Sequence, residues 1–391
     1  MKSIIFHIDV NSAYLSWTSV ERLKNGETID LREIPSIIGG DMKSRRGVVL
    51  AKSIPAKRYG IKTGEPVVHA LRKCPNLTMV PPNHTLYSEY SKKLMSLLKS
   101  FSPNIEKVSI DECYMDFSEQ DLTVDEAVNI ASMLKERVYE TYGFTVNVGI
   151  STTKILAKMA SDFQKPNKVH TLFLNEIAAK MWPLPVSELY MVGRAAAVTL
   201  DKLEIKTIGD LACADVSILV SHMKSHGKLI WNYANGIDDS VVQSSHIDAK
   251  NIGSSTTLPY DFESSSEAKK ILKSLSMEVA SRLKKSGQLA GSIGTEIKYS
   301  TFQSASHQMK LDPPTCDAKV IYQSSCRLFD ELWNGDPIRL LGVRTAKLTK
   351  EAPPMQMNIF DLGKVAKERK ADKAMEELQD RFGSHILKKG L

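Results

Sequence analysis

Two adjacent carboxylates, Asp111 and Glu112, follow Ser109-Ile110 between two strand-like runs, Ile105–Val108 and Cys113–Phe117. Neighbouring side chains on a strand point to opposite faces, so the pair can share one site only where the backbone turns. The stretch is therefore predicted to be a hairpin with its acids at the bend. Two uncompensated carboxylates that close repel, and each raises the pKa of the other; a pair kept ionised calls for a cation between them. Taken alone, an Asp-Glu turn reads first as a solvated acidic loop. What shifts the reading is a third acid far upstream, Asp9, which ends the β-branched apolar run Ser3–Ile8, a predicted buried strand. A helix pattern follows, with Asn11 or Ser12 as N-cap and Leu15, Val20 and Leu23 among its apolar positions. One strand-end Asp and one hairpin Asp-Glu could meet at the edge of a shared sheet.

Such a set suits hard divalent cations. Mg²⁺ takes few protein carboxylates and leaves positions for water and phosphate oxygens. Two such ions ~3.5–4 Å apart can clamp the attacking and leaving oxygens of an in-line displacement. The reaction class implied is nucleotidyl or phosphoryl transfer.

A length of 391 residues predicts about two to four domains. Five scattered cysteines, with no Cys-x-x-Cys pair, fit reduced thiols better than a disulfide framework or a zinc site. Asp9 interrupts the first apolar run, which argues against a signal peptide, and no apolar stretch is long enough to span a bilayer. A cytoplasmic location follows as an expectation. The net charge of +7 is unevenly spread. Residues 1–82 carry thirteen Lys/Arg against seven Asp/Glu, residues 83–238 sixteen against nineteen, and residues 239–350 fifteen against twelve. Cationic ends flanking an acidic middle suit a polyanion gripped from both sides of a central metal site, though solvated faces often differ by as much.

The element pattern is α+β and multidomain. Residues 1–12 and 83–172 read as one unit with strands Ile4–Asp9, Ile105–Ile110, Cys113–Phe117 and Thr145–Ile150, and helices over 86–100, 123–142 and 152–163. That order suggests a split βαβ sheet with helices on one face. A basic module, 13–82, is inserted. It holds the apolar runs Ile37-Ile38 and Val48–Leu50 around a charged turn, Gly39-Gly40-Asp41 through Arg46, then a brief helix from Pro55 to Gly60. Residues 173–238 are helical and compact, and 239–250 read as an extended polar linker. Residues 251–350 spell β-α-β-β-α-β, their strands dotted with Ser254, Ser255, Thr256, Lys298, Thr301, His307 and Lys310. A polar sheet face of this kind could track a sugar-phosphate backbone, or simply face water. Beyond Pro353-Pro354, residues 351–391 read as a flexible tail with a charged helix pattern over 363–382.

Asp9, the Ser109-Ile110-Asp111-Glu112 hairpin, Val148-Gly149-Ile150-Ser151 with Lys154, and Lys165-Pro166-Asn167 together resemble the Y-family translesion DNA polymerases, bacterial members above all. The likeness covers residues 1–350. It implies a right-hand polymerase with a palm (1–12 and 83–172), small fingers (13–82), a helical thumb resembling a helix-hairpin-helix (173–238) and a little finger (251–350). By that resemblance Asp9 and Asp111 hold two Mg²⁺ ions, with Mn²⁺ able to substitute; Glu112 ligates the catalytic ion, and the Val10 carbonyl is a further ligand. Main-chain N–H groups at Ser12, Ala13 and Tyr14 would bind the triphosphate, because they open the first helix. Tyr14 falls at the steric-gate position, where a ring beneath the sugar excludes a ribose 2′-hydroxyl, and Lys165 at the triphosphate-contacting lysine.

Two departures stand out. The family's Tyr-x-x-Arg on the fingers helix is here Ile54-Pro55-Ala56-Lys57, preceded by Ala51 in place of Thr. Lys57 could still meet phosphate as a point charge without the fork of Arg. The thumb's pair of glycines is reduced to Gly193, with Met191 at the other position. In the tail, Gln356-Met357-Asn358-Ile359-Phe360 resembles the Gln-x-x-Leu-Phe peptide that docks on a sliding clamp: Gln356 would fix register while Ile359 and Phe360 fill an apolar pocket. The function expected is low-fidelity, template-directed DNA synthesis past lesions without proofreading, by a monomer acting on primer-template DNA and deoxynucleoside triphosphates. The alternatives are a palm-fold nucleotidyl cyclase and a non-catalytic, clamp-bound accessory scaffold.

Overall fold

The computed structural model describes residues 3–40, 47–245 and 249–350. The charged turn Asp41–Arg46, the tail with Gln356, Ile359 and Phe360, and the helix pattern over 363–382 lie outside the described residues. The chain forms two compact units, 1–247 and 248–391.

The first unit begins with β1 (Ile5–Val10), buried along its whole length. Helix α1 (Ala13–Lys24) follows directly. A small three-stranded sheet comes next, from β2 (Ser36–Gly39), β3 (Val49–Lys52) and β4 (Thr78–Val80), with α2 (Ile54–Arg58) and α3 (Val67–Lys73) beside it. Helix α2 starts as expected: the Ser53 hydroxyl caps Ala56 N, and Pro55 occupies the first turn, where its missing N–H costs nothing. Gly60 then turns left-handed at φ 72°.

The chain returns through α4 (His84–Leu98), β5 (Ile105–Lys107), β6 (Glu112–Asp116), α5 (Val124–Tyr142), β7 (Val146–Ser151), α6 (Lys154–Asp162) and β8 (Val169–Thr171). The sheet has five strands in the order β5-β6-β1-β7-β8, with β1 at its centre, antiparallel to both neighbours. Phe6, Ile8 and Val10 on β1 join one core with Trp17 of α1, Tyr87 and Leu94 of α4 and Leu134 of α5. The alternate residues face the other way, where Ile5 packs with Tyr114 and Ala157 of α6.

Helix α6 thus covers the second face, contrary to the expectation of helices on one face only. Gly149 explains why. A Cβ at this β7 residue would overlap Ala157 O and Ser161 N, so only glycine lets the α6 backbone lie against the strand. Residues 173–238 add five further helices: α7 (Ile177–Lys180), α8 (Arg194–Lys202), α9 (Ile208–Cys213), α10 (Val216–Met223) and α11 (Ser225–Ala234). Their core is continuous with α6 through Ile155, Leu156 and Met159. The start of the expected linker is held on this unit, since Gln243 N donates to Glu106 Oε2 at 2.9 Å and Val242 packs on Ile5 and Tyr114.

The second unit is β9 (Asn251–Phe262), α12 (Ser265–Lys285), β10 (Leu289–Tyr299), β11 (Ser304–Thr315), α13 (Ala318–Leu332) and β12 (Ile338–Thr349), an antiparallel sheet in the order β11-β10-β12-β9. This is the β-α-β-β-α-β sequence expected. Strand register sorts the polar residues of its sheet. Ser255, Gly342, Glu296 and Ser306 form one cross-strand row, and Gly253, Arg344, Gly294 and Gln308 the next on the same face. Lys298 and Lys310 share that face by alternation. Ser254 and His307 do not: the Ser254 hydroxyl donates to Glu278 of α12 at 2.9 Å, and His307 lies 3.3 Å from Glu331 of α13. The expectation of one polar face holding all seven residues therefore fails at these two and at Thr256, which shares the parity of Ser254, while Thr301 lies in the turn between β10 and β11.

Replacing Gly149 by alanine is expected to destabilise the first unit by ~3 kcal/mol, because packed backbone must move to admit the methyl group. Urea unfolding of the full chain checks this; an unchanged midpoint would mean that α6 tolerates a wider separation from β7.

Candidate active site

The antiparallel register of β1 with β6 sets Asp9 directly across from Glu112. Val10 N donates to Asp111 O at 3.1 Å, which pulls the hairpin bend against the end of β1. Ser109 holds the bend from within: its hydroxyl reaches Asp111 Oδ1 at 2.6 Å and accepts from Glu112 N at 3.0 Å. Three acids separated by about a hundred residues in the chain are thereby brought to one strand end.

A cleft of about 760 Å³ opens at this point. It is lined by Asp9, Val10, Ser12, Ala13, Tyr14, Lys57, Asp111 and Lys165, all expected at the site. Ile54 and Ala51, both within the first departure from the family pattern, line it as well. Arg32 and Lys52 extend the basic wall and were not foreseen. Burial, and then the neighbouring Lys57, push the Lys52 ammonium below its ordinary pKa.

Helix α1 opens onto the cleft through Ser12, left-handed at φ 47° and making no side-chain cap, so the N–H groups of the first turn keep no internal acceptor. The Tyr14 ring is stacked on Tyr87 with centroids 4.3 Å apart and planes 8° from parallel. Stacking of this kind contributes ~1 kcal/mol and fixes the ring plane. Burial first, and then Asp111 and Tyr87, raise the Tyr14 pKa, so its hydroxyl stays protonated.

The Lys165-Pro166-Asn167 turn is tied to β1 by amides. Asn11 Oδ1 accepts from Asn167 N and from the Thr145 hydroxyl, both at 2.9 Å, while Asn11 Nδ2 donates to Asn147 at 3.0 Å. The turn delivers Lys165 onto Asp9, with Asp162 also 2.8 Å from its ammonium. On the other side Lys158 of α6 pairs with Glu112 at 2.7 Å. Asp9 is only 7% exposed. Burial raises its pKa, Lys165 and Lys158 pull it back, and Glu112 adds to the rise.

The carboxylates meet at one strand end without converging on a point. Among the described residues no group of three or more His, Cys, Asp or Glu side chains is placed to hold a metal ion. Asp9 and Glu112 are instead turned to lysines, and Asp111 to Ser109. The donor chemistry nevertheless fits a hard divalent cation: three carboxylates and the Val10 carbonyl offer oxygen alone.

In the helical region, Met191, where the resemblance implies a glycine, is left-handed at φ 74°, a conformation that strains an L side chain. Gly193 is extended and caps α8, with open space where a Cβ would stand. The clamp-like residues Gln356, Ile359 and Phe360 lie outside the described residues.

Residues 8–162 match the model of the impB/mucB/samB family, and residues 249–359 that of the impB/mucB/samB family C-terminal domain. A DNA polymerase IV of Clostridium acetobutylicum is 47% identical over 387 residues, 99% of this chain and 97% of that protein. Another of the same name, from Acetivibrio thermocellus, is 34% identical over 100% of this chain and 98% of that one. Among solved structures, a Y-family DNA polymerase chimera matches with a TM-score of 0.77 at 22% identity, covering 89% of this chain and 100% of that one, which supports the multidomain α+β fold. The resemblance read from the motifs is borne out, and the chain belongs to the impB/mucB/samB family of Y-family DNA polymerases.

Proposed function

We propose that this chain is a template-directed, low-fidelity DNA polymerase that carries primers past damaged bases, with Asp9, Asp111 and Glu112 as its catalytic carboxylates. The observation that carries the reading is the β1–β6 register, which sets Glu112 across from Asp9, itself on the lining of a basic-walled cleft. Relatives matched nearly end to end are named as DNA polymerases, so neither the cyclase nor the accessory-scaffold alternative is favoured.

Asp9 and Asp111 would hold two Mg²⁺ ions, Glu112 and the Val10 carbonyl completing the protein's share. Bound there, the ions would lower the pKa of the primer 3′-hydroxyl and steady the departing pyrophosphate. The N–H groups of Ser12, Ala13 and Tyr14, with Lys165 and Lys57, would orient the triphosphate. Lys57 and Lys52 supply charge in place of a bidentate arginine, so positioning there is looser than in relatives that carry the fork. Tyr14, held flat by Tyr87, would exclude ribonucleotides. Primer-template DNA would run over the open sheet face carrying Arg344, Lys298 and Lys310, and Gly193 would offer backbone to a phosphate in the thumb.

The domain limits proposed are palm 1–12 and 83–172, fingers 13–82, thumb 173–238, linker 239–250 and little finger 251–350. A separate hydrophobic core supports the little finger, whereas the core of the helical region takes in Ile155, Leu156 and Met159 of α6 and so crosses the proposed palm–thumb limit. The tail would dock on a sliding clamp through Gln356, Ile359 and Phe360, and the enzyme would act as a cytoplasmic monomer. No helix among the described residues is long and apolar enough to cross a membrane.

Primer extension tests the assignment. Asp111→Ala and Glu112→Ala should each cut extension by roughly a thousandfold while primer-template binding stays near wild type; extension at the wild-type rate by either would remove it from the site. Tyr14→Ala should raise ribonucleotide insertion relative to deoxynucleotide insertion, and an unchanged ratio would leave the gate without support. Phe360→Ala should abolish stimulation by the clamp and spare distributive synthesis. Equal loss of both would make the tail a structural element.

A further inference from the structure

Five charged side chains of alternating sign run through the active site. Glu112 pairs with Lys158 at 2.7 Å, Lys158 lies 3.5 Å from Asp162, Asp162 is 2.8 Å from Lys165, and Lys165 contacts Asp9. Helix α6 makes this possible by carrying Lys158 and Asp162 one turn apart on one face. Its azimuth is held by His7, whose Nδ1 lies 2.8 Å from the Ser161 hydroxyl. Lys158 is well sheltered, its side chain only 12% exposed, whereas Asp162 is 44% exposed. Each of the two ammonium groups therefore holds one oxygen of a carboxylate that a divalent ion would also use. A dication and an ammonium on the same carboxylate repel at such short range, so the two compete for it.

We infer that Lys158 and Lys165 are tethered counter-ions of the metal site, competing with divalent cations for Glu112 and Asp9 and yielding to them, with Asp162 as the shared partner that keeps both lysines paired after they yield. This rests on the reading of Asp9, Asp111 and Glu112 as metal ligands. Metal entry is then an exchange of one cation for another within a compensated cluster. The exchange releases Lys165 beside the cleft, at the same end as the opening of α1. It also keeps three neighbouring acids from repelling one another apart.

The test is Mn²⁺ binding by the full chain without DNA or nucleotide, read from the electron paramagnetic resonance signal of free Mn²⁺. Lys158→Met and Lys165→Met should each tighten binding by about tenfold, the scale of one partly buried charge pair. Lys154→Met removes the same charge one turn earlier, from Glu106 rather than from the cleft, and should leave the affinity within about twofold of wild type by the same scale. Lys158→Gln serves if the methionine variant melts early. Unchanged or weaker binding in both the Lys158 and the Lys165 variants would overturn the inference, as would equal tightening by Lys154→Met, which would mark a diffuse charge effect. Asp111→Asn separates the two levels, because its carboxylate is held by Ser109 rather than by a lysine. If Asp111→Asn leaves Mn²⁺ binding intact, the ligand reading itself fails. If it abolishes binding while the lysine variants match wild type, only the counter-ion role is lost.

Discussion

The pairing of β1 with β6 is the constraint on which the rest of the active site depends. Period-two alternation commits β1 in both directions at once: Phe6, Ile8 and Val10 must enter the core under α1, α4 and α5, so His7 and Asp9 must face α6. A slip of one residue would bury the acid among aromatic rings and turn the apolar set toward α6 and its charges. The hydrophobic core therefore fixes the register, and the register places Asp9 across from Glu112. Chemistry and folding stability are coupled through a single strand.

The second face of the sheet depends on close approach. Gly149 lets α6 rest on β7, and α6 then supplies Ala157 to packing, Ser161 to His7, Lys158 to Glu112 and Asp162 to Lys165. The Asn11–Asn147 pair performs the matching task for the turn that carries Lys165. Burial is expensive for charge, and at Asp9 it outweighs the opposing pull of Lys165 and Lys158, so the carboxyl pKa stays raised.

Much of this was legible in the sequence because the strongest signals were local. The apolar run ending in Asp9, the acids between two strand patterns, Pro55 at a helix start and the second β-α-β-β-α-β series each announce themselves within a dozen residues. What stayed hidden depends on three-dimensional contact. Strands β4 and β8 are only three residues long, too short to show alternation, and both are formed by pairing with a parallel neighbour. The side of the sheet taken by α6 turns on one missing Cβ. Lys158 and Asp162 are not singled out by the sequence, because four-residue spacing is common to any helix surface and nothing local shows that Lys158 meets Glu112. Ser254 and His307 were read by composition as facing solvent, whereas strand parity and their partners on α12 and α13 turn them to the helices. Met191 shows a limit of another kind: the turn keeps its left-handed geometry although the residue suited to it is absent.

The central claim, that one strand pairing gathers three acids around shared divalent ions, is tested most directly by anomalous diffraction from crystals grown with primer-template, a non-hydrolysable deoxynucleotide and Mn²⁺. Two peaks about 3.5–4 Å apart, both ligated by Asp9 and Asp111 and one also by Glu112, are predicted. Manganese bound by only one of these acids, or found elsewhere in the cleft with Asp9 and Glu112 still on their lysines, would contradict the account.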